Sequence, residues 1–134
     1  MLNLHDIADT GPASAPVLMR ETRPWGRYEV LMTSARWRVK RLTIDPGKRT
    51  SFQRHAHRAE HWLVVEGRAK IRQRAIRPIG DQMIGDRTLL EGHTADIAVG
   101  DWHQIANQGP NPLVIIEVWM GDDLRETDIE RAVI

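Results

Sequence analysis

The stretch that decides the fold is SFQRHAHRAEHW, residues 51–62. Side chains on an extended strand alternate between its two faces, so Gln53, His55 and His57 are predicted to point to one side. Glu60 follows after a short bend. Two histidines at positions i and i+2 with a nearby carboxylate are typical of a metal site with nitrogen and oxygen ligands.

A third histidine, His103, lies in a second predicted strand at residues 103–107 and completes this candidate site. The chain contains no cysteine, which excludes disulfides and thiolate ligands. Imidazole and carboxylate ligands suit a divalent ion such as Zn, Mn, Fe, Co or Ni. The alternative is that these residues are ordinary polar positions on strands.

Short apolar segments separated by turn residues predict an all-β sandwich or barrel. Ten glycines and seven prolines lie mostly between these segments. The predicted strands are 28–32, 37–44, 51–57, 60–66, 69–75, 89–90, 94–98, 103–107 and 113–120.

Two segments are predicted to depart from this pattern. Residues 76–88 contain one proline and two glycines, which predicts a long hairpin loop. Thr127-Asp128-Ile129-Glu130 has the spacing of a helix capping box, which predicts a short C-terminal helix.

The length of 134 residues fits one domain, which we divide into an N-terminal arm at residues 1–22 and a barrel domain at 23–134. The arm lacks the basic start and apolar run of a signal peptide, and no stretch has the roughly 18 apolar residues that span a bilayer. The net charge of +1 does not indicate a nucleic-acid or membrane partner. We therefore expect a soluble cytoplasmic protein.

Both halves of the candidate metal site resemble the two motifs of the cupin superfamily. The first motif runs from Gly47 to Gly67, and the second from Gly92 to Asn107. The resemblance implies a double-stranded β-helix (jelly-roll barrel), a homodimer, and a divalent metal. The metal ligands that it implies are His55, His57, Glu60 and His103.

A narrower resemblance rests on residues 23–31 (RPWGRYEVL), 51–62 and 115–118 (IIEV). These segments are similar to the C-terminal cupin domain of type II mannose-6-phosphate isomerases, which is often fused to a mannose-1-phosphate guanylyltransferase. The resemblance implies a stand-alone, metal-dependent aldose–ketose isomerase that converts mannose 6-phosphate to fructose 6-phosphate in polysaccharide biosynthesis. The small-molecule partner would be a sugar phosphate. Residues 74–88 are longer than is usual in this subgroup.

An isomerase of this kind needs a base, and cations for the phosphate. Glu117 and Lys40 are the catalytic candidates, although Glu117 could instead face solvent between two inward apolar neighbours. The substrate-binding candidates are Gln53, Arg58, Arg54 and Trp62.

Two other functions fit the same residues. One is a cupin that binds a sugar or sugar nucleotide without chemistry. The other is a cupin metal oxygenase, since similar sites serve that reaction. A fold by itself does not choose among these functions.

Overall fold

The computed structural model of the chain describes residues 17–77 and 80–133, and the side chains of these residues other than 76–77 and 80–84. The described residues form eleven strands and no helix. Within them there is accordingly no helix that could cross a membrane. The strands are β1 (Met19–Arg23), β2 (Gly26–Thr33), β3 (Trp37–Ile44), β4 (Gln53–Arg54), β5 (Arg58–Glu66), β6 (Ala69–Arg77), β7 (Gly80–Leu89), β8 (Thr94–Ile97), β9 (Trp102–Ala106), β10 (Leu113–Gly121) and β11 (Glu130–Arg131).

These strands form two antiparallel sheets. The larger sheet has the order β1-β2-β3-β10-β5-β8, and the smaller has the order β11-β4-β9-β6-β7. Strands that are distant in the chain, such as β3 and β10, lie side by side. This arrangement confirms the predicted all-β barrel of the cupin type.

Alternation along β10 shows how the sequence directs side chains into the barrel. Leu113, Ile115, Glu117 and Trp119 are buried, whereas the residues between them are partly exposed. Leu113 and Ile115 join a core that includes Ile71 of the smaller sheet. Burying one such aliphatic side chain contributes roughly 1.5–3 kcal/mol, so the inward positions stabilise the fold.

Two glycines allow strands to approach each other more closely than a side chain would permit. A Cβ at Gly26 would lie 2.0 Å from the carbonyl oxygen of Thr43. A Cβ at Gly121 would lie 2.1 Å from the carbonyl oxygen of His57. Gly121 pairs with Arg58, so this close contact sets the position of the chain where it enters β5.

The predicted C-terminal helix is wrong. Residues 130–131 form β11 and pair with β4. The Asp128 carboxylate accepts hydrogen bonds from the backbone N–H groups of Ala56 and His57, both at 2.9 Å. So short a helix would have been marginal by itself, and these tertiary contacts favour an extended segment instead.

The predicted long loop at residues 76–88 is also wrong. Most of this segment belongs to the β6–β7 hairpin, and only residues 78–79, which lie outside the described residues, separate the two strands. The ladder shifts register between Gln73 and Arg74, opposite Gly85. A bulge with a glycine in a positive-φ conformation keeps the strands paired, so the glycine there does not end the strand.

The predicted arm falls partly outside the described residues, which begin at 17. Its last residues form most of β1, in which Met19 pairs with Val30 of β2. The sheet therefore begins before residue 23, and the division at 22/23 stays a prediction.

Candidate functional site

A cavity of about 380 Å³ is lined by side chains from both sheets. Lys40, Trp62 and Glu117 reach it from the larger sheet, and Gln53 and His103 from the smaller sheet. All five residues have inward positions on their strands. The cavity therefore combines one buried aromatic wall with several polar groups, which is the usual character of a small-molecule site.

Three of the four predicted metal ligands come together beside this cavity, which Glu60 and His103 line. His55 and Glu60 are 3% exposed and His103 is 2% exposed. The Nε2 atom of His55 lies 3.0 Å from a Glu60 carboxylate oxygen and 3.2 Å from Nε2 of His103. The His103 Nε2 atom lies 3.8 Å from the other Glu60 oxygen. These three side chains could hold one metal ion.

Backbone contacts orient both imidazole rings. Nδ1 of His55 donates a hydrogen bond to the carbonyl of Asp128 at 2.7 Å, and Nδ1 of His103 donates to the carbonyl of Asp101 at 2.8 Å. A neutral ring whose Nδ1 carries the proton has its lone pair on Nε2. Both lone pairs therefore point toward the Glu60 carboxylate, and this donor set fits a cation.

The local electrostatics favour the same protonation states. Burial by itself would raise the pKa of Glu60, but its polar contacts with His55 and His103 and the charge of Arg58 outweigh burial and hold that pKa well below its ordinary value. Burial lowers the pKa of His103. An ionised carboxylate and a neutral imidazole are the forms that bind metals.

Arg58 is the cation that the structure places beside these ligands. Its Nε atom donates to Glu60 at 3.1 Å, and its Nη2 atom donates to Nε2 of His55 at 3.2 Å. The guanidinium carbon lies 3.4 Å from the ring centroid of Trp119. Arg58 lines the cavity, and its role in substrate binding stays a prediction.

His57, the fourth predicted ligand, does not join the group. Its side chain is 52% exposed, and Nδ1 lies 3.6 Å from Asp122 at the surface. The reason is a bend at residues 56–57, after β4 ends at Arg54. Alternation holds only along an extended chain, so the prediction that His57 shares the direction of His55 does not apply here.

Of the other predicted substrate-binding residues, Gln53 and Trp62 reach the cavity, whereas Arg54 lies on the outer face of the smaller sheet. Gln53 lines the cavity and accepts a hydrogen bond from Ser51 at 2.7 Å. Trp62 is buried and donates from Nε1 to Glu60 at 3.0 Å. Arg54 does not line the cavity, because it pairs with Glu130 at 2.8 Å on the outer face.

The two catalytic candidates lie side by side in one wall of the cavity. Glu117 and Lys40 are cross-strand partners in β10 and β3, and both are buried. Nζ of Lys40 donates to Glu126 at 2.7 Å and lies 3.8 Å from the ring centroid of Trp119. Glu117 therefore points inward, and the solvent-facing alternative does not describe its position.

Burial shifts both groups toward their neutral forms. It raises the pKa of Glu117 well above the ordinary value, and the nearby Glu60 carboxylate adds to the shift while Lys40 opposes it. Burial lowers the pKa of Lys40, against the charges of Glu117 and Glu126. Glu117 is therefore a buried carboxyl group with a raised pKa inside the cavity, which makes it a candidate functional group.

Sequence reasoning missed two residues that complete the site. Glu126 pairs with Lys40, and Asp128 holds the bend at residues 56–57 in place. Asp128 lies in the segment that was predicted as a helix, and Glu126 directly precedes that segment. The acidic residues of that segment were the available signal, but only its contacts with distant strands give them these roles.

The comparisons with known proteins agree with this architecture. The sequence model of a family described as "Mannose-6-phosphate isomerase C-terminal" matches residues 14–133. The chain is 42% identical over 111 residues to the alginate biosynthesis protein AlgA of Pseudomonas aeruginosa. The matched segment covers 81% of this chain and 21% of that protein. It is 42% identical over 110 residues to a mannose-1-phosphate guanylyltransferase of Escherichia coli (81% and 21%), and 38% identical over 125 residues to the xanthan biosynthesis protein XanB of Xanthomonas campestris (93% and 25%).

Solved structures support the fold. The capsular polysaccharide assembling protein CapF of Staphylococcus aureus matches with a TM-score of 0.71 and 23% identity, over 90% of this chain and 34% of that one. A Klebsiella pneumoniae protein with a double-stranded β-helix domain matches with a TM-score of 0.64 and 21% identity, over 78% and 82%. At these identities the likeness concerns the fold alone.

The relatives correct the predicted function. Sequence analysis predicted a stand-alone mannose-6-phosphate isomerase, and that prediction is wrong. The relatives are named as a guanylyltransferase or as alginate and xanthan biosynthesis proteins, not simply as an isomerase. The chain spans only about a fifth to a quarter of their length and corresponds to their C-terminal domain. Motifs shared with one domain do not by themselves indicate the activity of a whole protein.

Proposed function

Because the chain belongs to the mannose-6-phosphate isomerase C-terminal family, we propose that its cavity binds a mannose phosphate and that it serves polysaccharide biosynthesis. The observation that carries this proposal is the convergence of His55, Glu60 and His103 beside a cavity of about 380 Å³ that Glu60 and His103 line. The family description and the guanylyltransferase name both contain a phosphorylated mannose. The alginate and xanthan relatives support the link to polysaccharides.

The proposal includes a divalent metal held by His55, Glu60 and His103. The fit rests on two Nε2 lone pairs and one ionised carboxylate that are directed at a common point. Zn, Mn, Co, Ni and Fe all accept such ligands. A bound metal would supply a Lewis acid for a sugar oxygen.

Arg58 links metal binding to a local rearrangement. Its Nη2 atom contacts the same Nε2 atom of His55 that the metal would use. We expect the guanidinium to release His55 when a metal binds and to keep its contact with the face of Trp119. Arg58 then presents its donors to the cavity, where they can bind an oxygen of the ligand.

The remaining polar groups in the cavity suit the hydroxyl groups of a sugar. Glu117 is buried in the cavity, and one oxygen of its carboxyl group accepts from Nε1 of Trp119 at 2.6 Å. Gln53 keeps its amide nitrogen as a donor while its oxygen accepts from Ser51. Donors and acceptors fixed in this way favour a polyhydroxyl ligand, because a buried polar group without a partner is costly.

Calorimetric titration of the metal-loaded protein with mannose 6-phosphate and with mannose 1-phosphate tests the proposal. We expect at least one of them to bind with one ligand per chain and to raise the unfolding temperature. Elemental analysis should find one metal ion per chain. If neither compound binds to protein that carries its metal, the proposed function is wrong.

Matched histidine variants test the ligand set. His55→Ala and Glu60→Gln should lose the bound metal and weaken ligand binding. His57→Ala should keep both, because His57 lies at the surface. Equal metal loss in all three variants would contradict the assignment.

The homodimer and the cytoplasmic location stay predictions.

A further inference from the structure

The ladder between β4 and β11 separates two arginines onto opposite faces of the smaller sheet. One rung pairs Arg131 with Gln53, and the other pairs Glu130 with Arg54. Gln53 lines the cavity, whereas Arg54 forms its ion pair with Glu130 on the outer face. Since cross-strand partners share a face, Arg131 is directed toward the cavity, which it also lines.

Arg131 lies in line with the metal-ligand residue of the neighbouring strand. Gln53 pairs with Arg131 on one side and with His103 on the other. With strands about 4.8 Å apart, the Cα atoms of Arg131 and His103 are separated by about 10 Å. A long arginine side chain shortens that gap, so a hexose placed between them could contact both ends of the row.

The charge of Arg131 has no carboxylate to balance it. Among the described residues no carboxylate oxygen lies within 4.0 Å of its guanidinium, whereas Arg23 and Arg58, which also line the cavity, pair with Glu21 and Glu60. Lys40 pairs with Glu126. The cations inside the cavity are thus neutralised, and a free positive charge stands at its edge.

Arg49 is the one other cavity-lining arginine without a carboxylate partner among the described residues. It bridges to Ala106, the residue after the fully buried Ile105. Thr50, the next residue, is buried, so alternation places the exposed Arg49 at the rim of the cavity and not in its interior. Arg131, unlike Arg49, lies in the row of paired residues that runs through Gln53 to His103, so it is the better candidate for binding a ligand held there.

We propose that Arg131 and Gln53 form a subsite for the phosphate group of the ligand, at the opposite end of the sugar from His55, Glu60 and His103. The proposal deepens the proposed function and rests on it. An arginine fork binds two phosphate oxygens at once, and the Gln53 amide nitrogen can bind a third. The cavity would then select phosphorylated sugars over neutral ones.

Titration of three proteins with mannose phosphate and with mannose tests the subsite. Arg131→Ala should weaken binding of the phosphorylated sugar by about 10- to 100-fold, as expected for hydrogen bonds to a charged group, and should change the affinity for mannose less than about twofold. Arg54→Ala is the matched control from the same ladder and should change neither. Equal weakening for both sugars, or no weakening for either, would overturn the subsite.

A second measurement on the unmodified protein separates this inference from the proposed function and does not depend on the variants folding. The Nε–H signal of Arg131 in an NMR spectrum should shift when inorganic phosphate is added, while the Arg54 signal should not. If mannose phosphate fails to bind but this shift occurs, the proposed function fails and the anion subsite stands. Absence of the shift with phosphate and with mannose phosphate overturns the subsite.

Discussion

The backbone carbonyl of Asp128 accepts a hydrogen bond from Nδ1 of His55 at 2.7 Å, although the two residues are 73 positions apart in the chain. The same residue holds the bend at residues 56–57 through its carboxylate. The C-terminal segment thus orients a candidate metal ligand through main-chain and side-chain contacts together. A ligand ring whose second nitrogen is fixed in this way keeps its direction and tautomer.

Replacing Asp128 with alanine should weaken both the fold and the metal site. Two backbone N–H groups would lose a charged acceptor, which we expect to lower the free energy of unfolding by about 1–3 kcal/mol. Metal affinity should fall roughly 10-fold because the bend next to His55 loosens when the carboxylate is lost, although alanine keeps the backbone carbonyl that accepts from Nδ1. Urea denaturation and metal titration measure the two effects. Asp122→Ala, at an exposed site nearby, is the control; similar losses there would contradict the role of Asp128.

Gly121→Ala should be strongly destabilising. The added Cβ would lie 2.1 Å from the carbonyl oxygen of His57 and 3.0 Å from the Cα atom of Arg58, so β5 and β10 would have to separate. Forcing such a clash costs about 1–3 kcal/mol or more. Gly109→Ala is the control, because its added Cβ would lie 3.5 Å from the nearest atom. Thermal unfolding of both variants checks this, and an unchanged Gly121→Ala would contradict the close approach.

Replacing Glu117 with glutamine should lower the free energy of unfolding much less than the same replacement at Glu60. Burial raises the pKa of Glu117, so its carboxyl keeps a proton and Gln should replace it with a change below about 1 kcal/mol in the free energy of unfolding. Glu60 is ionised and accepts from Arg58 and Trp62, so Glu60→Gln should cost about 3 kcal/mol or more. Urea denaturation of the metal-free proteins measures both. A larger cost at Glu117 than at Glu60 would reverse the assigned protonation states.

Glu29 should make stability depend on pH in the acid range. A hydrogen bond from Arg41, assisted by Arg20 and opposed by burial, lowers the pKa of Glu29 from its ordinary 4.5 to about 2. The unfolded chain therefore binds the proton more readily, so this stabilisation is complete above about pH 4.5 and is lost as the pH falls to about 2. Because the arginines are partly exposed, we expect about 1–3 kcal/mol.

Comparison with Glu29→Gln isolates that contribution. The stability difference between the two proteins in urea denaturation should be largest at neutral pH and should shrink as the pH falls from 4.5. Glu130→Gln, at an exposed carboxylate, is the control and should show a much smaller difference. A difference that grows toward low pH would contradict the sign.

The sequence by itself determined most of the strand pattern. The alternation of residues 37–44 and 113–120 predicts β3 and β10 almost to their ends, because a two-residue period is a local property of an extended chain. The likeness to the cupin motifs identified His55, Glu60 and His103 before any contact was known. Those residues stand at fixed distances along the chain from the glycine turns of the two motifs, so the sequence alone reveals them.

Only the tertiary structure decided which side chains of the first motif enter the site. His57 points outward and Arg58 inward because the chain bends at residues 56–57, and that bend depends on Asp128. Contacts with β4 and with this bend also hold the C-terminal segment in the extended form of β11, and β11 places Arg131 beside Gln53. Local propensity cannot encode these outcomes, because hydrogen bonds between residues more than 70 positions apart supply the deciding free energy.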